Sequence, residues 1–288
     1  MNGTTAGDSW RKSLAEWEIP PDILAGADSS PWVFPREVFV RRAEGVVQAP
    51  YGQSYARARE ALDEPGALLD VGAGAGAASL PLAERATGIT AVDTDEPLLD
   101  QLARSAAAAA TPLTRVTGRW PDVADQVDPV DVVLCHHVLY NVPDVEAFVL
   151  ELHRHARRRV VVEITDRHPL VRLNPLWQRI HGIERPDGPS ARDLLAVFDE
   201  LGFAVRAERW RRPPGAEYRT FAELVETSRR RLCLPASRTD EVVAALHELG
   251  GSEESPPDLG SSSQDLVTIW WPADRTGSAP APDRPRGG

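Results

Sequence analysis

Two histidines stand side by side in Cys135-His136-His137-Val138-Leu139-Tyr140-Asn141, where an apolar run ends. A neutral imidazole takes up a proton near neutral pH better than any other side chain, so His136 and His137 are candidate general bases, with Tyr140 beside them. Neighbouring residues leave a strand end in different directions, so one histidine is expected to face a pocket. The other is expected to cap the next helix or to pack. A second group follows the next apolar run: Asp166, His168, Asn174, Trp177 and His181. Trp177 offers a flat apolar wall to a substrate, and Tyr140, His168 and His181 offer polar contacts. The third group is Gly72-Ala73-Gly74-Ala75-Gly76, with Asp70 just before it and Asp93 about twenty residues on. Glycines let the backbone approach a ligand closely, and an acid ending the following strand can accept bonds from ribose hydroxyls. That order is the signature of a nucleoside site.

These groups need a scaffold that brings them together. Residues 8–64 read as helical: Trp10, Leu14 and Trp17 recur at helical spacing behind a cap at Asp8 or Ser9, and Pro20-Pro21 ends the helix. Further helices are expected over 35–48 and 53–63. From Gly66 the pattern alternates. Strands are expected at 67–71, 89–92, 113–117, 130–135 and 160–164, and helices at 76–86, 97–110 and 145–156. Residues 166–189 read as irregular. A helix at 190–201 precedes strands at 203–209 and 266–271, between which lie helices at 220–233 and 237–249. This α/β alternation predicts a doubly wound, mostly parallel sheet of seven strands with right-handed crossovers and an N-terminal helical extension. The expected division is a helical leader at 1–64, a nucleoside-binding domain at 65–273 and a disordered tail at 274–288. The polar segment 251–264 is also expected to be disordered.

Composition removes several function classes. A net charge of −11 disfavours a general nucleic-acid binder, whose affinity rests on neutralising phosphates. Lys12 is the only lysine and lies in no P-loop or Schiff-base context, which excludes lysine-dependent chemistries. Cys135 and Cys233 form no CxxC pair and cannot build a disulfide framework. No apolar run approaches the ~20 residues of a membrane helix, and the N-terminus lacks a secretory pattern, so a cytoplasmic protein is expected. His153 and His155 lie two apart on an expected helix and point apart. With no HExxH or cysteine set, no metal site is expected.

The segments LLDVGAGAG, AVDTDEPLL, DPVDVVLCHHVLYNV and RRVVVEIT resemble successive motifs of the class I S-adenosylmethionine-dependent methyltransferases, over about residues 66–165. The resemblance implies S-adenosyl-L-methionine as cofactor. The backbone at Gly72, Ala73 and Gly74 would face its methionine portion, Asp93 its ribose and Thr94 its adenine. Gly118, Arg119 and Trp120 would flank the adenine, and Asp70 and Cys135 are grouped with the cofactor contacts. The family often has an acid where this chain has Arg119, so adenine recognition falls to Trp120 and backbone groups. Tyr51 and Tyr55 could close over the cofactor. The implied reaction is in-line methyl transfer to a small-molecule acceptor, with no nucleic acid or membrane partner and no assignment of oligomeric state. Alignment can supply up to ~7–11 kcal/mol of such a barrier, and a general base ~10²–10⁴-fold in rate. Two alternatives stand beside this reading. Gly72, Gly74 and Ala77 also satisfy GxGxx(G/A), which would make the protein a nicotinamide oxidoreductase. The helical leader before the motif, the lack of a tyrosine–lysine pair and the acid Asp70 weigh against it. A non-catalytic cofactor-binding protein of the same fold is the other alternative.

Overall fold

Short runs bounded by glycine, proline or acid pair into one sheet, whose central members are apolar and, buried on both faces, satisfy their backbone only through their neighbours, while its two edge members are largely exposed. The strands are β1 (Gly66–Val71), β2 (Ala86–Asp93), β3 (Leu113–Thr117), β4 (Val130–His136), β5 (Ala156–Thr165), β6 (Arg206–Arg211) and β7 (Asp265–Pro272). The computed structural model describes residues 4–32, 35–213, 218–252, 254 and 264–273. The sheet order is β3-β2-β1-β4-β5-β7-β6. All pairings are parallel except those of β7, which runs antiparallel to both β5 and β6. Asp70 pairs with Ala91 on one side and Leu134 on the other, so β2, β1 and β4 end level. Chain order reverses between β1 and β4, and a crevice opens at such a switch point.

The leader forms α1 (Ala6–Ala15), α2 (Pro21–Leu24), α3 (Arg36–Gln48) and α4 (Gln53–Ala61). The crossover helices are α5 (Glu96–Ala108), α6 (Val145–His155), α7 (Asn174–His181), α8 (Ala191–Glu200), α9 (Phe221–Arg231) and α10 (Thr239–Glu248). One face of the sheet carries α1, α6 and α8, with Trp10, Phe148 and Phe198 buried. Trp10 fills this core and donates its indole N–H to the Val142 carbonyl at 2.9 Å. The opposite face packs Ala58 and Leu62 against Leu68, Leu82 and Val132. A second core joins α7, α9 and α10 around Leu176, Trp177, Leu224 and Leu246, with Ile19 from the leader.

Local chemistry moves several expected boundaries. Thr5 caps α1, its hydroxyl accepting the Asp8 N–H at 3.0 Å, so the helix starts before the expected Asp8 or Ser9. The expected helix at 76–86 is instead turns followed by a 3₁₀ helix, Leu80–Arg85. Gly76 in left-handed backbone and Pro81, which lacks an N–H, interrupt the expected helix before the chain enters β2 at Ala86. The segment 166–189, expected to be irregular, contains a 3₁₀ turn at Pro169–Leu173 and then α7. β6 starts three residues later than expected, at Arg206. The disorder expected at 274–288, and at 251–264 apart from 251, 252, 254 and 264, falls outside the described residues.

Candidate functional site

The loop after β1 is held open by backbone conformation. Gly72, Gly74 and Gly76 have φ of 73°, 51° and 88°, a region costly for side chains with a Cβ. Gly72 and Ala73 donate to the Val92 carbonyl at 2.8 and 3.1 Å, which pins the loop to β2. A Cβ on Gly72 would lie 2.2 Å from Val138 Cγ2, whereas one on Gly74 would meet nothing within 4 Å. Gly72 therefore makes the turn, and Gly74 faces open space.

That space is a cavity of about 740 Å³ lined by the loop, Asp70, Asp93, Thr94, Arg119 and Trp120. Asp93 Oδ2 accepts the Gly74 N–H at 2.7 Å, and Oδ1 accepts the Asp95 N–H at 2.9 Å. Asp95 in turn caps α5 and pairs with Arg36 of α3 at 2.9 Å. Trp120 Nε1 is buried with no hydrogen-bond partner. Asp70 accepts the Ser79 hydroxyl at 2.6 Å. Burial, with the Asp93 charge adding to it, pushes the Asp70 carboxyl up to about 7. Tyr51 and Tyr55 border the same cavity. Cys135 does not line it: its side chain is buried in the core beneath, where burial pushes the thiol up.

Both histidines line this cavity, rather than the single one expected. His136 Nε2 is buried without a partner, and burial holds its imidazole below the usual value. His137 has φ of 60°. Its Nε2 lies 2.9 Å from Glu163 Oε1 and 3.0 Å from Arg212 Nη2. Ser54 donates its hydroxyl to Glu163 Oε2 at 2.6 Å and lies 2.7 Å from Thr268 Oγ1, which accepts the Trp210 indole N–H at 2.9 Å. Burial pushes His137 down to about 4 against the pull of Glu163, leaving the ring neutral near pH 7. Burial opposes ionisation of Glu163, but the His137 hydrogen bond and the nearby positive charge outweigh it and hold the carboxyl well below its usual range.

A second cavity, of about 620 Å³, is lined by Trp17, Tyr140, His168, Leu170, Tyr218 and Arg231 among others. Trp32, Phe39, Arg42, His137 and Asn141 line both cavities, so the two meet at a common wall. His168 stacks on Trp17 with centroids 4.1 Å apart and meets the edge of Tyr140 at 5.7 Å. Its Nδ1 accepts the Leu170 N–H at 3.3 Å, and its ring also bonds the Tyr140 backbone. Burial pushes it down to about 3. With both nitrogens occupied, His168 shapes the wall. Burial also raises the Tyr140 phenol.

Trp177 and His181, expected beside the substrate, line neither cavity. Trp177 is 4% exposed within the core of α7, α9 and α10, and His181 Nε2 lies 2.8 Å from the Leu232 carbonyl. Helical spacing with Leu173, Leu176 and Ile180 is the signal that places Trp177 in a core. Glu163, Ser54 and Arg212 were not among the residues read from the sequence. For Glu163 a signal exists, since it is the sole acid in the apolar run of β5. Among the described residues no group of His, Cys, Asp and Glu could hold a metal ion, and no helix is long and apolar enough to cross a membrane.

Comparison with known proteins places this geometry in context. A family model described as a methyltransferase domain matches residues 44–208. No curated protein matches the chain. Among solved structures, magnesium protoporphyrin IX methyltransferase from Synechocystis PCC 6803 with bound SAH is 20% identical, with a TM-score of 0.45, over 73% of this chain and 89% of that one. The YcgJ protein of Bacillus subtilis is 16% identical, with a TM-score of 0.45, over 81% and 97%. The plantazolicin methyltransferase BamL is 12% identical, with a TM-score of 0.47, over 92% and 97%. With its strand-end glycine loop inside the matched segment, which spans more than half of its length, the chain belongs to the methyltransferase-domain family.

Proposed function

We propose that the protein takes S-adenosylmethionine in the first cavity and methylates a small molecule seated in the second. The observation that carries this reading is the common wall: two cavities of ligand size meet at His137, Asn141, Phe39, Arg42 and Trp32. A donor in one and an acceptor in the other can thus be brought face to face, which in-line transfer requires. The residues of the first cavity suit a sulfonium nucleoside. Gly74 leaves room for close approach. Asp93 uses one acceptor direction of Oδ2 on the Gly74 N–H of the loop and one of Oδ1 on the Asp95 N–H and keeps others for ribose hydroxyls. Trp120, whose buried indole N–H has no partner among the described residues, and Arg119 border the same cavity, which supports the expected adenine contacts. Asp70 supplies negative charge once ionised. When bound, S-adenosylmethionine supplies an electrophilic methyl group on sulfur. The second cavity offers Trp17, Tyr140 and Tyr218 as apolar and aromatic walls, the usual lining of a small-molecule site.

Calorimetric titration with S-adenosylmethionine, S-adenosylhomocysteine and NAD tests the donor. Both sulfur nucleosides are expected to bind and NAD is not. Binding of NAD alone would overturn the reading in favour of hydride chemistry.

A further inference from the structure

The second cavity differs in charge from the molecule around it. The chain carries a net charge of −11, yet among the described residues this cavity is lined by two arginines, Arg42 and Arg231, and by a single acid, Glu18, which is exposed. Burial pushes the imidazoles of His137 and His168 down to about 4 and about 3, so neither adds charge near pH 7. The lining is therefore positive by one charge. Both arginines act on its walls. The Arg231 charge adds to burial in holding the His168 imidazole down, and the Arg42 charge opposes the rise that burial imposes on the Tyr140 phenol.

The two arginines mark different ends. Arg42 of α3 lines both cavities, whereas Arg231 of α9 lines only the second. Thr227 and Ser228 of α9 also line only the second, and residues three and four apart are neighbours on a helix surface. These two residues are 7% and 2% exposed, and no hydrogen bond joins either hydroxyl to another described residue. A buried hydroxyl left without a partner is unfavourable, and a bound acceptor group would relieve it. A guanidinium carries five N–H donors, so Arg231 can hold a carboxylate beside its other contacts, and its planar fork matches that group. One net positive charge suits a monoanion better than a phosphate dianion. The rest of the lining is rich in rings: Trp17 stacked on His168, Tyr140 edge-on to His168, and Trp32 and Phe39 at the common wall.

We propose that the methyl acceptor is a planar aromatic carboxylate, its carboxylate held by Arg231, Ser228 and Thr227 and its reacting hydroxyl or amine at the common wall. The proposal rests on the methyl-transfer reading above, which makes the second cavity the acceptor site. In the transfer, a lone pair on the acceptor oxygen or nitrogen forms the bond to the methyl carbon. The pair of the broken S–C bond stays on sulfur, and the O–H or N–H proton leaves to water.

The test is calorimetry of the protein, free and saturated with S-adenosylhomocysteine, with 6-hydroxy-2-naphthoate, its primary amide and the corresponding aminomethyl naphthol, which share a shape and differ in charge. The acid is expected to bind about tenfold more tightly than the amide, and the amine most weakly. In Arg231→Gln the affinity for the acid is expected to fall about tenfold, to that of the amide, while the affinities for the amide and S-adenosylhomocysteine stay within about twofold. Ser228→Ala, which keeps the arginine, is expected to weaken the acid about threefold and the amide less. Equal binding of acid and amide, preference for the amine, no binding of the acid at millimolar concentration, or equal losses for acid and amide in both variants overturns the proposal. Failure of S-adenosylhomocysteine to bind would instead sink the methyl-transfer reading, while the acid-to-amide ratio in the free protein would still decide the ligand class.

Discussion

The two cavities share a wall and differ in construction. The first is built where consecutive strands end, and much of its work is done by backbone and one acid: the Gly72–Gly76 loop, Asp93 and the turn after β3. Most of that lies within the segment that matches the family. The second is assembled from the end of α1, the stretch at Trp32, α3, the loop after β4 with His137, Tyr140 and Asn141, the 3₁₀ turn after β5 and α9. The loop after β4 and the turn after β5 lie within residues 44–208, and the lining residues of α1, α3 and α9 lie outside. The difference separates a site set largely by strand ends and backbone from one set largely by the side chains of helices and loops, the kind of segment on which function is most often grafted onto a fold.

The sharpest way to break this contrast is to disable the first cavity alone. Gly74→Val forces a β-branched residue to a φ of 51° and fills the open space. Asp93→Ala frees the Gly74 and Asp95 N–H groups. Each is expected to weaken S-adenosylhomocysteine binding by about a hundredfold, or ~2.7 kcal/mol, in calorimetry, with cooperative melting retained. Full affinity in both would mean that the nucleoside lies elsewhere.

Asp70 sharpens the contrast through pH. Burial, with the Asp93 charge adding to it, pushes its carboxyl up to about 7 from the usual carboxylate range, so it is largely protonated below neutrality and ionised above. Affinity for the cationic S-adenosylmethionine is expected to fall as pH drops through 7, up to about tenfold per unit, and Asp70→Asn should flatten that profile. The sign for stability is opposite. A raised carboxyl pKa stabilises the fold at low pH, and this contribution is lost as pH rises through about 7. Asp70→Asn should therefore raise Tm by about 5 °C above that pH and change it little well below; equal shifts at both would contradict the assignment.

The smallest effects are expected in the second cavity. Leu170 lines it alone, whereas Phe39 lines both. Leu170→Ala should leave S-adenosylhomocysteine affinity within about twofold, and Phe39→Ala should weaken it severalfold, a gap of the order of 1 kcal/mol. Similar losses from both variants would show that the cavities are one.

What the sequence made legible follows the same division. The central strands are legible as short apolar runs, the largely exposed β3 matches at both boundaries, and the glycine loop and Asp93 follow from local conformational demands that few residue types satisfy. The 3₁₀ segment at Leu80–Arg85 did not, because the alanine-rich stretch favours helix while Gly76 in left-handed backbone and Pro81 within the segment oppose it. Glu163 was hidden because its partners Ser54 and His137 lie 109 and 26 residues away in the chain. Trp177 and His181 were misplaced because an aromatic side chain looks alike in sequence whether it lines a pocket or fills a core. Its spacing with Leu173, Leu176 and Ile180 was the better guide.

α3 presents Phe39 and Arg42 to both cavities, and its first turn is tied to the first cavity by Arg36 and Asp95. That pair is exposed, and such pairs contribute only ~0–1 kcal/mol. α3 is also held by Arg41, paired with Glu223 at 2.7 Å, and by Ala43 packed with Ala75 and Leu98. On the proposed function, an element that walls both sites couples their occupancies: any factor by which the donor changes acceptor affinity is the factor by which the acceptor changes donor affinity. The order in which the two ligands arrive would then follow from how α3 settles on the first.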